Sequence, residues 1–377
     1  MAQPIEKFTD PASASAPVGP YAARRLPYVE GLRGTAALIV ALGHMVFIVP
    51  SMPLPGLAHA TIADRIIWPL RFGGEMVFLF LMVSGFSLYY SERSRRLRER
   101  APTTYRRFLQ RRAWRIGPVY YAAVGFALVV VLTLPSLALR PENRSSQEIT
   151  TGGLISHLFF LHNLNPRWQS QIDAPLWSIA FEVQLYLLFP LIFWAMRRFN
   201  PVLATLGFLA AEELINVLHL GFPVFGLLRW FVAGCFVAEL LARGVRVPLW
   251  VTLPGGLTAL LVGMLQLPAW GSGLRHDVVW LVAFALLLLA MGAVPESRRN
   301  PMNWSWLRWI GLRSYSLYAL HFPIALTGIW LSLRLGLQGR PAAAFVVGVA
   351  GPVSLLVCMA SWRWIERPSL RRVTAVR

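Results

Sequence analysis

Ten apolar runs of about twenty residues recur along the chain, near 33–52, 74–91, 113–134, 176–196, 201–220, 222–242, 248–268, 277–294, 310–333 and 342–363. That is the length a helix needs to cross the hydrocarbon of a bilayer, roughly 30 Å thick. The recurrence predicts an all-α polytopic membrane protein with about ten transmembrane helices. Only 14% of the residues are charged, where a soluble domain carries about a quarter. The even spread of runs leaves no room for a large separate soluble domain.

The net charge is +19. In a soluble chain that balance would point to nucleic acid, but here the arginines gather in short stretches between apolar runs. Loop 92–112 carries Arg93, Arg95, Arg96, Arg98, Arg100, Arg106, Arg107, Arg111 and Arg112. Arg197 and Arg198, Arg243 and Arg246, Arg298 and Arg299, and Arg367, Arg371 and Arg372 follow the fourth, sixth, eighth and tenth runs. Positive loops stay in the cytoplasm. The pattern therefore predicts both termini on the cytoplasmic side, membrane lipids as the surroundings and no nucleic acid partner. Residues 1–26 read as a mobile cytoplasmic tail without the apolar core of a signal peptide, and 369–377 as a second cytoplasmic tail. Residues 135–175 fall on the outer side. Their short apolar piece, Leu154 to Leu161, is too short to span and reads as re-entrant or surface-lying. Cys235 and Cys358 both lie in apolar runs and read as packing residues, with no metal site implied.

Several polar residues interrupt the runs. Arg33 opens the first, and His44 follows eleven residues later, about three helical turns and 16 Å further along nearly the same face. An ionisable group at that depth is expensive and suggests a functional site; the plainer alternatives are a snorkelling arginine and a packed histidine. Ser84-Gly85-Phe86 ends an apolar stretch in the second run, where small residues serve helix packing. Arg112 and Arg115 share a face where a basic loop meets the third run, shortly before Pro118 and Tyr120, and arginine forks bind phosphates. Trp177 and Ser178 open the fourth run. Ser178, Glu182 and Tyr186 recur every four residues on one face, and a membrane-buried Glu182 must look into the bundle or pair with an arginine. Arg313, Ser314, Ser316, Tyr318 and His321 share the ninth run, and Glu366-Arg-Pro closes the last. No nucleotide-binding fingerprint and no Gly-x-Ser-x-Gly elbow occurs.

Taken in order, these motifs resemble the membrane acyltransferase-3 family. The features are Glu30-Gly-Leu-Arg-Gly-Thr-Ala-Ala with an arginine, ten residues and a histidine; Ser-Gly-Phe; Arg-Ile-x-Pro-x-Tyr; Leu-Trp-Ser…Glu…Tyr…Pro; Ser-Tyr-Ser-Leu-Tyr…His…Pro; and Glu-Arg-Pro. They run from residue 28 to 368, so one acyltransferase domain is expected over 27–368. The resemblance implies a multi-pass enzyme of the bacterial inner (cytoplasmic) membrane. It would transfer an acyl group, usually acetyl, from cytoplasmic acetyl-CoA to a hydroxyl of a glycan or lipid-linked glycan such as an exopolysaccharide, an O-antigen or a periplasmic glucan. Carried over by position, His44, Arg33 and Glu182 are the expected catalytic residues. Arg112, Arg115, Tyr120 and Ser84 are expected on the donor side, and Trp177, Ser178, Tyr186, Ser316 and His321 on the acceptor side, with no metal. Glu182 is expected to orient the His44 imidazole. The chain departs from the family at Phe78, where many members are acidic and where Glu75 is three residues off. No SGNH-type C-terminal domain is expected either, so that a second transfer step would use a separate extracytoplasmic transferase, or the membrane domain would complete the reaction alone. The competing reading is a proton-coupled transporter or flippase relaying protons through His44, Glu182 and His321.

Overall fold

The computed structural model describes residues 26–52, 61–97, 103–134, 149–218, 226–265, 274–294 and 300–375. The expected N-terminal tail, the last two residues, and Arg98, Arg100, Arg298 and Arg299 lie outside the described residues. Among those described, the secondary structure is helical, with no strand. In chain order the helices are α1 (Pro27–Phe47), α2 (Ile62–Ile67), α3 (Gly73–Leu97), α4 (Tyr105–Thr133), α5 (Thr151–Leu158), α6 (Trp177–Arg198) and α7 (Pro201–Val217). They continue with α8 (Leu228–Ala242), α9 (Leu249–Leu265), α10 (Leu274–Ala293), α11 (Ser305–Gly311), α12 (Ser314–Arg334), α13 (Gly339–Ser361) and α14 (Arg367–Ala375).

Helices stand at each of the ten apolar runs. Among the described residues, seven stretches are long and apolar enough to cross a membrane: α1, α2–α3, α4, α6, α10, α12 and α13–α14. At 17, 15 and 17 residues, α7, α8 and α9 rise only about 22–26 Å, short of a full hydrocarbon crossing. The chain is a multi-pass helical membrane protein in either case.

Small residues decide which helices touch most closely. A Cβ on Gly85 of α3 would come within 2.2 Å of the Phe231 carbonyl oxygen of α8, and one on Gly234 of α8 within 1.9 Å of the Met82 carbonyl oxygen. Each backbone therefore lies in the other's glycine notch, the means by which helices associate where no hydrophobic effect drives them. Cys235 donates its thiol to the Gly85 carbonyl at 3.4 Å, and both cysteines are free and buried. A second close approach joins α1 to α11, where a Cβ on Gly34 would reach 2.3 Å from the Leu307 carbonyl oxygen. Trp230, Trp280, Tyr89 and Phe86 fill the centre of the bundle.

The segment after α4 is compact. Thr150 caps α5, accepting from the Gly153 amide, and at eight residues α5 is too short to span. Tyr120 of α4 donates to the His157 carbonyl at 2.8 Å, and its ring lies 4.2 Å from that of Phe160. The His157 and His162 rings stack at 3.9 Å, and both side chains are fully buried. Burial lowers the His157 pKa to about 4 and that of His162 to about 3, so both stay neutral. Burial pushes the nearby Asp173 carboxyl well up. None of its oxygens has a hydrogen-bond partner.

Candidate active site

Between α1, α3, α4, α6 and α12 lies a cavity of about 180 Å³. It brings together five of the residues to which the resemblance gives a role: Arg33, Arg115, Ser178, Glu182 and Tyr186. The four-residue spacing on α6 sets its three contributions on one wall. Glu30, Ser314, Tyr315, Tyr318 and Glu366 add polar side chains to the lining, with apolar ones such as Phe80, Leu81 and Ile179 between them. Glu366 reaches it because the chain passes from α13 into α14 through a π-helical turn, Trp362–Glu366, a distortion that turns a side chain off the regular helical face.

Glu182 is held by two donors. Ser84 of α3 donates to its Oε1 at 2.7 Å, and Tyr186 donates to the same oxygen at 2.5 Å. The Ser-Gly-Phe stretch thus serves two ends: Gly85 packs α3 on α8 while Ser84 turns to the carboxylate. Arg33 stands 3.9 Å from Glu30, and Arg115 opens into the same space. Arg112 lies outside the lining, its guanidinium 5.7 Å from the centre of the Tyr186 ring and equally far from that of Phe108. Ser316 is behind the wall, donating to Glu366 at 2.5 Å and sharing a hydrogen bond with Ser361 at 3.1 Å.

His44 is not oriented by Glu182. Its Nδ1 lies 2.8 Å from Nε2 of His321, and the two rings stack at 5.1 Å. Nδ1 of His321 in turn faces the Leu317 and Tyr318 carbonyls at 3.1 and 2.8 Å. A carbonyl only accepts, so His321 carries its proton on Nδ1 and offers a lone pair at Nε2. His44 must then donate from Nδ1, which leaves its Nε2 bare. No protein partner occupies that nitrogen among the described residues. The expected Glu182–imidazole pairing fails for a plain reason: the carboxylate is taken by Ser84 and Tyr186, and the imidazole by His321. Tyr318 joins the pair to the cavity. Its hydroxyl shares a 2.7 Å hydrogen bond with Ser178, and its ring centre is 5.9 Å from that of His321.

Two expected residues lie elsewhere. Tyr120 anchors the segment around α5. Trp177 packs edge-on against Phe181, outside the cavity lining. At the departure noted in sequence, Phe78 stacks on Trp230 at 4.6 Å and Glu75 faces His276 at 3.4 Å, and neither residue lines the cavity. Sequence reasoning assigned no role to Tyr318 or Glu366. The signal was present in both: Tyr318 precedes His321 by almost one turn, and Glu366 is the acid of the closing Glu-Arg-Pro.

A model of an acyltransferase domain family, acyltransferase-3, matches residues 26–363. The chain is 29% identical to the exopolysaccharide production protein ExoZ of Rhizobium meliloti, over 85% of this chain and 96% of that protein. It is 26% identical to the O-acetyltransferase OatA of Staphylococcus aureus, over 92% of this chain but only 58% of that one. No solved structure matches.

Proposed function

The chain belongs to the acyltransferase-3 family, and from that premise we propose that it moves an acetyl group from cytoplasmic acetyl-CoA to a hydroxyl of a glycan, an exopolysaccharide above all. The names of its relatives favour that acceptor: ExoZ is an exopolysaccharide production protein and OatA an O-acetyltransferase. The arginine pattern supports ten passages with both termini cytoplasmic in the inner membrane, α7 to α9 crossing with their flanking residues. The acceptor, free or lipid-linked, approaches from the outer side.

The observation that carries the proposal is the bare Nε2 of His44, set by the hydrogen bond to His321; both histidines stand outside the cavity lining and are joined to it through Tyr318. Acetyl-CoA enters from the cytoplasmic end, its pantetheine arm passing Arg115 and Arg33 and carrying the thioester along α1 to His44. The two guanidinium groups hold the oxygens of the donor on the way. Nε2 of His44 removes the proton of the acceptor hydroxyl as its oxygen bonds to the acyl carbon. The carbon–sulfur bond then breaks, and the imidazolium returns its proton to the departing thiolate. The same nitrogen is the nucleophile if the acyl group is first carried on His44. Glu182, bound to Ser84 and Tyr186, supplies the negative charge that keeps the two arginines together.

The test is genetic and chemical. A strain lacking the chain should lose acetyl groups from a surface glycan by mass spectrometry, and the intact chain should restore them. His44→Ala should insert in the membrane at the normal level and restore none. Full acetylation by that variant would refute the assignment.

A further inference from the structure

A second cavity, about 410 Å³, opens where the last turns of α3 and α6 meet the first turns of α4. Its walls are aromatic and its rim is basic. Phe108 stacks on Phe189 at 5.3 Å, and the guanidinium groups of Arg96 and Arg197 lie 4.9 and 5.8 Å from the centre of the Phe193 ring. Trp194, 54% exposed, stands at the edge. Arg96 is paired with Glu92 at 3.4 Å. Arg197 and Arg198 have no carboxylate partner among the described residues, so their charge is free for an anion.

One residue links this groove to the central cavity. Arg112 covers Phe108, which lines the groove, and Tyr186, which lines the cavity. Its Nε is buried without a hydrogen-bond partner, and such a donor is costly unless an acceptor completes it. Along α6, Arg197 stands fifteen residues from Glu182, a rise of about 22 Å. An arm bound at this rim therefore enters the central cavity beside Glu182 and Arg115.

We propose that the groove is the subsite for the adenosine 3′,5′-bisphosphate end of the acyl-CoA. The adenine stacks on the aromatic wall beside Trp194, the 3′-phosphate meets Arg197 and Arg198, and the diphosphate completes Arg112 at the passage inward. Aromatic faces take any base, while arginine forks take phosphate in two-point contact. The assignment rests on acyl-CoA being the donor. The other phosphate that could reach this rim is the headgroup of an anionic lipid.

The test uses the full-length chain in phosphatidylcholine nanodiscs. Coenzyme A should bind about 10- to 100-fold more tightly than 3′-dephospho-coenzyme A, the worth of one or two charge-assisted hydrogen bonds. The Arg197→Gln/Arg198→Gln variant, with an unaltered melting temperature, should bind the two alike. Trp194→Ala should weaken both equally, and Trp194→Phe should restore most of the loss. Equal binding of the two compounds by the unmodified chain, or retained preference in the double variant, overturns the subsite. So does displacement of coenzyme A by phosphatidylglycerol added to the nanodisc, which would make the groove a lipid site. Thioester cleavage without phosphate discrimination would sink the subsite and leave acyl transfer standing. Absence of both binding and cleavage would sink the two together.

Discussion

Replacing His321 tests the relay that sets the His44 tautomer. In the structure His321 donates from Nδ1 to two carbonyls, at 2.8 and 3.1 Å, and accepts from His44 Nδ1 at 2.8 Å. The methionine of His321→Met would fill the space but accept nothing, freeing His44 to rotate and to protonate the nitrogen that should stay bare. A positioned general base contributes about 10²–10⁴ in rate, so His321→Met should cost a large part of that, about 3–5 kcal/mol of transition-state stabilisation. The glutamine of His321→Gln places its amide oxygen near the position of the lost Nε2 and still accepts from His44. It forfeits only the bonds to the carbonyls, about 0.5–1.5 kcal/mol, a loss of roughly 2- to 13-fold. The assay is thiol release from acetyl-CoA by purified protein with a glycan acceptor. The loss in both variants should fall on kcat, with KM for acetyl-CoA little changed. Equal activity of the methionine and glutamine variants, or a loss confined to KM, would refute the tautomer argument.

Three further outcomes follow from particular contacts. Gly234→Leu forces a side chain into the Met82 carbonyl, where even a Cβ lands at 1.9 Å; overpacking of this kind costs about 1–3 kcal/mol or more, and the variant should melt several degrees lower, whereas Gly348→Ala, at an open position, should not. Glu182→Leu strips Ser84 and Tyr186 of their shared acceptor and should cost about 1–3 kcal/mol of stability together with nearly all thioester cleavage. The segment around α5 should loosen in acid. His157 and His162 have folded pKa values, about 4 and about 3, below their unfolded value of about 6.5, so the unfolded segment takes up protons first and stability is lost as pH falls below 6.5. Each histidine withdraws about 2 kcal/mol by pH 5. Asp173, raised by burial, acts in the opposite sense, since its stability contribution improves as pH falls. Hydrogen exchange of residues 151–164 should therefore accelerate between pH 6.5 and 5 after correction for intrinsic rates, and more steeply in Asp173→Asn.

Much of the fold was legible because the bilayer imposes length and period together. The ten apolar runs each became a helix, and the eleven-residue spacing of Arg33 and His44 set both toward the bundle interior. The four-residue spacing of Ser178, Glu182 and Tyr186 gave one cavity wall. What stayed hidden was partnership across the chain. His44 and His321 are 277 residues apart, and no local pattern states that they meet, so Glu182 was the natural but mistaken orienter. The π-helical turn that delivers Glu366 to the cavity has no periodic signature either.

The most direct measurement of acyl transfer is thioester cleavage by the purified chain in nanodiscs, supplied with acetyl-CoA and deacetylated surface glycan. The account predicts acceptor-dependent release of thiol, with acetyl ester appearing on the glycan, and loss of both in His44→Ala. Uptake or flipping of the glycan with no thioester consumed would contradict it and make the chain a transporter.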